Sequence, residues 1–196
     1  ASEPVVREAL LRVCAAIAPL IEHCLTLDAL VAELSCLISN PGAIRQPWHP
    51  DSLLPSPCGV PLYTCFVALQ SIDPSMGPTR VLPGTHSSEW HGRLRDEGAR
   101  GNKARRKIES MDEHMACEVG DAFLMDSRLW HCGGSNGSAQ RRRVLYVSFN
   151  APHCLPRGST YSILGELAGR LRLRHLLSES TPAKDMEHVD DVTVTV

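Results

Sequence analysis

Apolar residues recur with two different periods along this chain, helical at the start and alternating through the middle. Ser2 can cap a helix with Pro4 in its first turn, and Val5, Leu10, Val13, Ile17 and Ile21 follow near helical spacing. Thr26 can cap a second helix through Leu27, Leu30, Val31, Leu34 and Leu37, stopping near Asn40-Pro41-Gly42. From Ile44 to Pro152 the pattern changes to short strand-like runs broken by Pro, Gly, Ser and Asn. Leu62–Leu69, Thr79–Leu82, Ala122–Met125 and Val144–Phe149 are the clearest of these. The polar interval Glu89–Glu109 reads as a surface insertion. Tyr161–Leu177 reads as an amphipathic helix, and the acidic stretch from Ser178 onward as a loosely held tail. Many short strands with turn signals predict a sandwich or barrel, and a jelly roll suits the size. One domain over 1–196 is expected: a helical segment at 1–42, a jelly-roll core at about 44–152, and a C-terminal helix and tail at 157–196.

Composition narrows the function classes. The 196 residues are 43% apolar and 21% charged, ordinary values for a globular domain. A formal charge of −2 argues against a nucleic-acid or anionic-membrane partner. The basic runs Arg105-Arg106-Lys107 and Arg141-Arg142-Arg143 lack the interleaved aromatics of a single-strand binding surface. None of the eight cysteines forms a CxxC pair, and several fall in apolar runs, which predicts free, mostly buried thiols over a disulfide framework. No secretory leader or membrane span is evident, so a cytoplasmic location is expected.

Chemistry concentrates at a few positions. His49 and Asp51 form an HxD pair in Gln46-Pro47-Trp48-His49-Pro50-Asp51. Residues two apart on an extended strand point to one side, so both can reach one metal. His131 lies far downstream in Leu129-Trp130-His131-Cys132-Gly133-Gly134, and Arg142 follows it at a spacing of eleven. Two neutral imidazoles and one carboxylate suit Fe(II) and leave positions open for a co-substrate and O2.

The chain resembles the phytanoyl-CoA dioxygenase-like family of Fe(II)/2-oxoglutarate oxygenases. Four segments carry the likeness in the family's order. They are Trp48-His49-Pro50-Asp51, then Met76-Gly77-Pro78-Thr79-Arg80-Val81-Leu82-Pro83-Gly84-Thr85-His86, then Gly120-Asp121-Ala122-Phe123, and last His131 to Asn136 leading into Arg141-Arg142-Arg143. The resemblance implies a double-stranded β-helix with flanking helices and a metal bound by His49, Asp51 and His131. It also implies Arg142 on the far carboxylate of 2-oxoglutarate, matching a guanidinium fork to a carboxylate. A one-residue bulge would hand that role to Arg141 or Arg143. Thr64 and Phe66 align with positions lining the 2-oxoglutarate pocket, and Gln46 could donate to a carboxylate. The implied reaction hydroxylates a C–H bond of a small molecule and turns 2-oxoglutarate and O2 into succinate and CO2. Asp51 argues against halogenation, which needs that iron position vacated.

The remaining candidates are weaker. His86 belongs to the Pro-Gly-Thr-His turn of the family's loop, and His91, His114 and His153 read as surface or supporting residues. Asp126 and Arg128 are candidates for orienting His131, and Trp48 and Trp130 for walling a substrate pocket. The stretch ahead of His49 is short for the family, so early strands supplying a further 2-oxoglutarate contact are expected to be missing or replaced. Two competing readings stand beside the oxygenase: a metal enzyme of another class on the same fold, and a catalytically silent binding protein. No feature of the sequence sets an oligomeric state.

Overall fold

Helix α1 (Pro4–Cys24) forms over the first apolar periodicity, and Leu11, Cys14, Ile17, Ala18 and Ile21 bury its inner face. The computed structural model describes residues 4–54, 59, 61–97, 110–156, 161–179 and 192–195. Strands β1 (Leu30–Ser39), β2 (Tyr63–Ala68) and β3 (Thr79–Val81) precede helix α2 (Ser88–Glu97). Then come β4 (Glu113–Met115), β5 (Ala122–Asp126), β6 (His131–Gly133), β7 (Arg142–Asn150), helix α3 (Leu173–Ser178) and β8 (Val192–Thr195).

The strands form two sheets, one ordered β1-β7-β2-β5-β8 and the other β4-β3-β6. Alternation along each strand decides what each face covers. In β2, Cys65 and Val67 join Val31, Val147 and Phe149 under α1. Phe66 and Ala68 point the other way, into a cluster with Val144, Phe123, Val81 and Leu129 between the sheets. The larger sheet is thus buried on both faces, by helix on one side and the smaller sheet on the other. This is the mainly β, double-stranded β-helix architecture expected from the sequence.

Four sequence expectations need correction. Residues 26–37 do not form a second helix; most of them lie in β1. A bulge explains the misreading: Val31 pairs with Phe149 and Glu33 with Ser148, leaving Ala32 as the extra residue. The bulge stretches same-face spacing from two residues to three, so Val31 and Leu34 both pack under α1 and mimic helical periodicity. Within Tyr161–Leu177, turns fill the first part, Gly169 adopts φ +71°, and the helix proper is confined to α3. Val192–Thr195, expected to be loose, pairs in parallel with β5. Finally, Cys154 is disulfide-bonded, whereas Cys14, Cys24, Cys36, Cys65, Cys117 and Cys132 are free as expected. The start of the polar interval Glu89–Glu109 is helical, and residues 98–109 lie outside the described set. Among the described residues no helix is long and apolar enough to cross a membrane.

Candidate metal centre and adjoining cavity

His49 is fixed by the backbone before its ring is considered. Its N–H and carbonyl both pair with His131, each bond 3.0 Å long, so the HxD segment adds a single bridge to the start of β6. Asp51 lies on the bend that follows, where its N–H donates to the Ser127 carbonyl at 2.8 Å. The buried Ser127 hydroxyl braces that bend, lying 2.6 Å from the Ser52 hydroxyl and accepting from Leu62 N–H at 3.0 Å. The pair therefore sits on a bridge and a bend, not on the regular strand that two-residue spacing suggested.

Both imidazoles are oriented in the same way. His49 Nδ1 lies 2.8 Å from the Pro47 carbonyl, and His131 Nδ1 lies 3.0 Å from the Leu129 carbonyl. A carbonyl only accepts, so each Nδ1 carries the hydrogen and each Nε2 presents its lone pair. Asp51 Oδ1 stands 3.8 Å from His49 Nε2 and 3.6 Å from His131 Nε2. One ligand atom from each of the three residues lies within 4.8 Å of the others. Burial pushes the His131 pKa down against the opposing pull of Asp51, which favours the neutral ring that a metal requires. Two nitrogens and one carboxylate oxygen on one side of a shared point form a facial donor set suited to Fe(II).

The three donors open onto a cavity of about 250 Å³. Gln46, Thr64, Phe66 and Arg142, all anticipated from the sequence, line it together with the donors. Arg142 is 7% exposed, and its Nε and Nη1 are buried without a hydrogen-bond partner among the described residues. Burial without a counter-charge pushes its pKa down. Its neighbours Arg141 and Arg143 are exposed, so no bulge displaces the register. Gln46 uses its side-chain oxygen to accept from Gly133 N–H at 2.7 Å, leaving the amide NH2 for the cavity. A Cβ at Gly133 would stand 2.8 Å from that oxygen and 3.4 Å from Arg142 Nη2, so glycine keeps room for both groups. Phe66 stacks on Phe123 with ring centroids 4.9 Å apart and leans on Tyr146 at 6.0 Å. The donor set and the unpaired buried guanidinium together fit a metal with a bound dicarboxylate.

Several candidates do not reach the cavity. Asp126 and Arg128 pair with each other at 2.6 Å, and it is the Leu129 carbonyl that orients His131. Trp48 has the guanidinium groups of Arg45 and Arg80 at 5.7 and 5.5 Å from its ring centre, and Trp130 packs edge-on against His91. His91 is fully buried and donates through Nε2 to the Arg128 carbonyl at 2.7 Å, so it is a core residue and not a surface one. His114 pairs with Asp112, His153 is exposed, and His86 lies outside the donor cluster. Glu33, Leu37, Thr79 and Tyr146 line the cavity without having been singled out in the sequence. Glu33 and Leu37 went unnoticed because β1 imitates a helix; β1 is also an early strand in the cavity wall where none was expected.

Fold and donor set together describe a jelly-roll protein in which three residues that could hold a metal ion share a cavity with a buried cation. A family model described as Phytanoyl-CoA dioxygenase (PhyH) matches residues 5–144. The chain belongs to this family of Fe(II)- and 2-oxoglutarate-dependent oxygenases, whose co-reactants Fe(II), 2-oxoglutarate and O2 suit the groups present. It is 28% identical over 132 residues to the dioxygenase af480 of Aspergillus fumigatus, covering 65% of this chain and 39% of that one. It is 28% identical over 140 residues to the dioxygenase andF of Emericella variicolor, covering 68% and 45%. The chain thus spans less than half the length of these curated relatives. The crystal structure of EctD from S. alaskensis with bound Fe superposes with a TM-score of 0.58 at 15% identity, covering 81% of this chain and 58% of that one. That likeness concerns the fold alone.

Proposed function

We propose that the chain carries the catalytic centre of an Fe(II)- and 2-oxoglutarate-dependent dioxygenase that hydroxylates a C–H bond of a small molecule. The observation that carries this reading is Arg142: a buried cation with two unpartnered nitrogens, in the same cavity as the three metal donors. A charge left unpaired in such a place costs stability unless a ligand completes it, and a carboxylate matches the guanidinium fork. His49, Asp51 and His131 hold the metal in this proposal, and Arg142 takes the C5 carboxylate of 2-oxoglutarate. The amide of Gln46 adds a donor, while Phe66 and Thr64 wall the cavity and exclude water.

When bound, the metal and co-substrate supply the oxidation: 2-oxoglutarate, O2 and R–H give succinate, CO2 and R–OH. The protein contributes orientation. The Pro47 and Leu129 carbonyls hold both imidazoles in one tautomer, and the Ser127 hydroxyl fixes the bend carrying Asp51. The concave shape and small volume of the cavity favour a small-molecule substrate over a nucleic acid or a membrane surface. Action as a single domain belongs to the same proposal. So does a cytoplasmic location, which the free thiols support and the disulfide at Cys154 weighs against.

The reading is tested by incubating the protein with Fe(II), 2-oxoglutarate, air and fractionated metabolite extract. Succinate should form in at least one fraction and cease when iron is chelated. Absence of iron-dependent succinate in every fraction would favour the silent binding protein.

A further inference from the structure

The bulge in β1 brings Glu33 onto the cavity face of the larger sheet. Glu33 pairs with Ser148 of β7, and Ser148 pairs in turn with Thr64 of β2, so the three side chains form one row across three strands. The Ser148 hydroxyl donates to Glu33 Oε2 at 2.6 Å, and the Thr64 hydroxyl lies 2.9 Å from that of Ser148. With the Ser148 hydrogen committed to the carboxylate, Thr64 supplies the hydrogen of the second bond. Both hydroxyl hydrogens thus run towards Glu33 and hold its carboxylate in place. Among the described residues Oε1 has no hydrogen-bond partner, and Glu33 lines the cavity.

Charge accounting then singles this carboxylate out. Among the described residues, Arg142 is the only arginine or lysine lining the cavity. In the reading above, iron carries two positive charges, balanced by Asp51 and the C1 carboxylate, while Arg142 is balanced by the C5 carboxylate. Glu33 is left over. It is half-buried, and burial, with a smaller contribution from Asp51, raises its pKa against the lowering effect of the Ser148 bond. A carboxylate so placed gains most from a positively charged hydrogen-bond donor.

We propose that Glu33, positioned by Ser148 and Thr64, is a substrate-binding residue that selects substrates carrying a protonated amine. This inference rests on the oxygenase reading, because it assigns Arg142 and Asp51 to the co-substrate and metal. The amine docks on Oε1, and the bond to be oxidised lies within reach of the donors because all of these groups line one cavity.

The test uses the full chain with Fe(II) and 2-oxoglutarate under nitrogen at neutral pH. Binding of benzylamine and benzyl alcohol, and of further amine–alcohol pairs, is measured by titration calorimetry. The wild type should prefer amines by roughly tenfold. Glu33→Gln should lose that preference while binding 2-oxoglutarate normally. Ser148→Ala, which keeps the carboxylate but frees it, should reduce the preference by about threefold, and it decides the matter if the first variant misfolds. The inference is overturned if the wild type shows no amine preference, if Glu33→Gln or Ser148→Ala retains it in full, or if Glu33→Gln loses 2-oxoglutarate binding. A wild type that fails to bind 2-oxoglutarate at all would remove the oxygenase reading and this inference with it. Normal 2-oxoglutarate binding without amine preference would remove this inference alone.

Discussion

Replacing Arg142 by glutamine should have two opposite effects, and both follow from its burial. Among the described residues, Nε and Nη1 are buried without partners. A buried unsatisfied polar group costs about 1–3 kcal/mol, more when charged, and a glutamine exposes a smaller neutral group to the same environment. The apo variant should therefore be more stable than wild type by about 1–2 kcal/mol, raising Tm by roughly 3–6 °C for a chain of this size. Binding moves the other way. Two charge-assisted hydrogen bonds to the C5 carboxylate give way to one neutral contact, a loss of about 3 kcal/mol or roughly a hundredfold in Kd. Calorimetry of 2-oxoglutarate binding and thermal melts of the apo protein measure both quantities. Arg141→Gln and Arg143→Gln serve as controls: both side chains are exposed, and Arg143 reaches only Gln70 at 3.3 Å. Neither control should shift Tm or Kd appreciably. The reasoning fails if Arg142→Gln binds 2-oxoglutarate like wild type, or if its apo form melts lower.

Three further outcomes follow from other parts of the molecule. Ser127→Ala removes the hydroxyl bracing the Asp51 bend without touching a metal donor, and should weaken Fe(II) binding about tenfold in a competition assay. Gly77→Ala should destabilise by at least about 2 kcal/mol in chemical denaturation, because φ is +67° and an added Cβ would meet the Ser135 carbonyl oxygen at 2.3 Å. Burial holds the Cys14 and Cys65 thiols up at about 12, against an ordinary value of 9.0. The unfolded chain gives up these protons first, so stability is intact below pH 9 and falls from there to about pH 12. The slope is about 1.4 kcal/mol per pH unit for each thiol. Cys65→Ala should lower the slope by its own share of about 1.4 kcal/mol per pH unit, and iodoacetamide should label exposed Cys24 and Cys36 well before either buried thiol.

The grouping of His49, Asp51 and His131 is legible in the sequence because the first two are closely spaced and the third carries the same chemistry. His49 and Asp51 announce themselves within three residues, and Gln46 lies on the same segment. His131 and Arg142 fall on strands whose ends are marked by Gly133-Gly134 and by the apolar alternation of Val144 to Phe149. That alternation also placed Arg142 correctly between its two exposed neighbours. What stayed hidden depends on contacts between strands distant in sequence. Glu33 could not be placed because Leu27, Leu30, Val31, Leu34 and Leu37 repeat at helical spacing, and only pairing with β7 reveals the bulge that produces it. Ser148 carries no motif at all; it matters because it stands opposite both Glu33 and Thr64. Asp126 and Arg128 are candidates for orienting His131 by proximity in sequence, yet a carboxylate and a guanidinium two residues apart satisfy each other instead. The turns before α3 carry a periodic apolar pattern that imitates a helix despite two glycines, one of which takes a left-handed φ.

The central claim is that His49, Asp51 and His131 together hold Fe(II) in a form that 2-oxoglutarate can chelate. Anaerobic addition of Fe(II) and 2-oxoglutarate to the full chain, followed by visible absorption spectroscopy, tests it most directly. Wild type should develop the weak charge-transfer band of the iron–2-oxoglutarate chelate. Arg142→Gln should reach the same band only at roughly a hundredfold more 2-oxoglutarate, and His131→Ala should show none. A wild type without the band, or a His131→Ala variant that keeps it, would contradict the account.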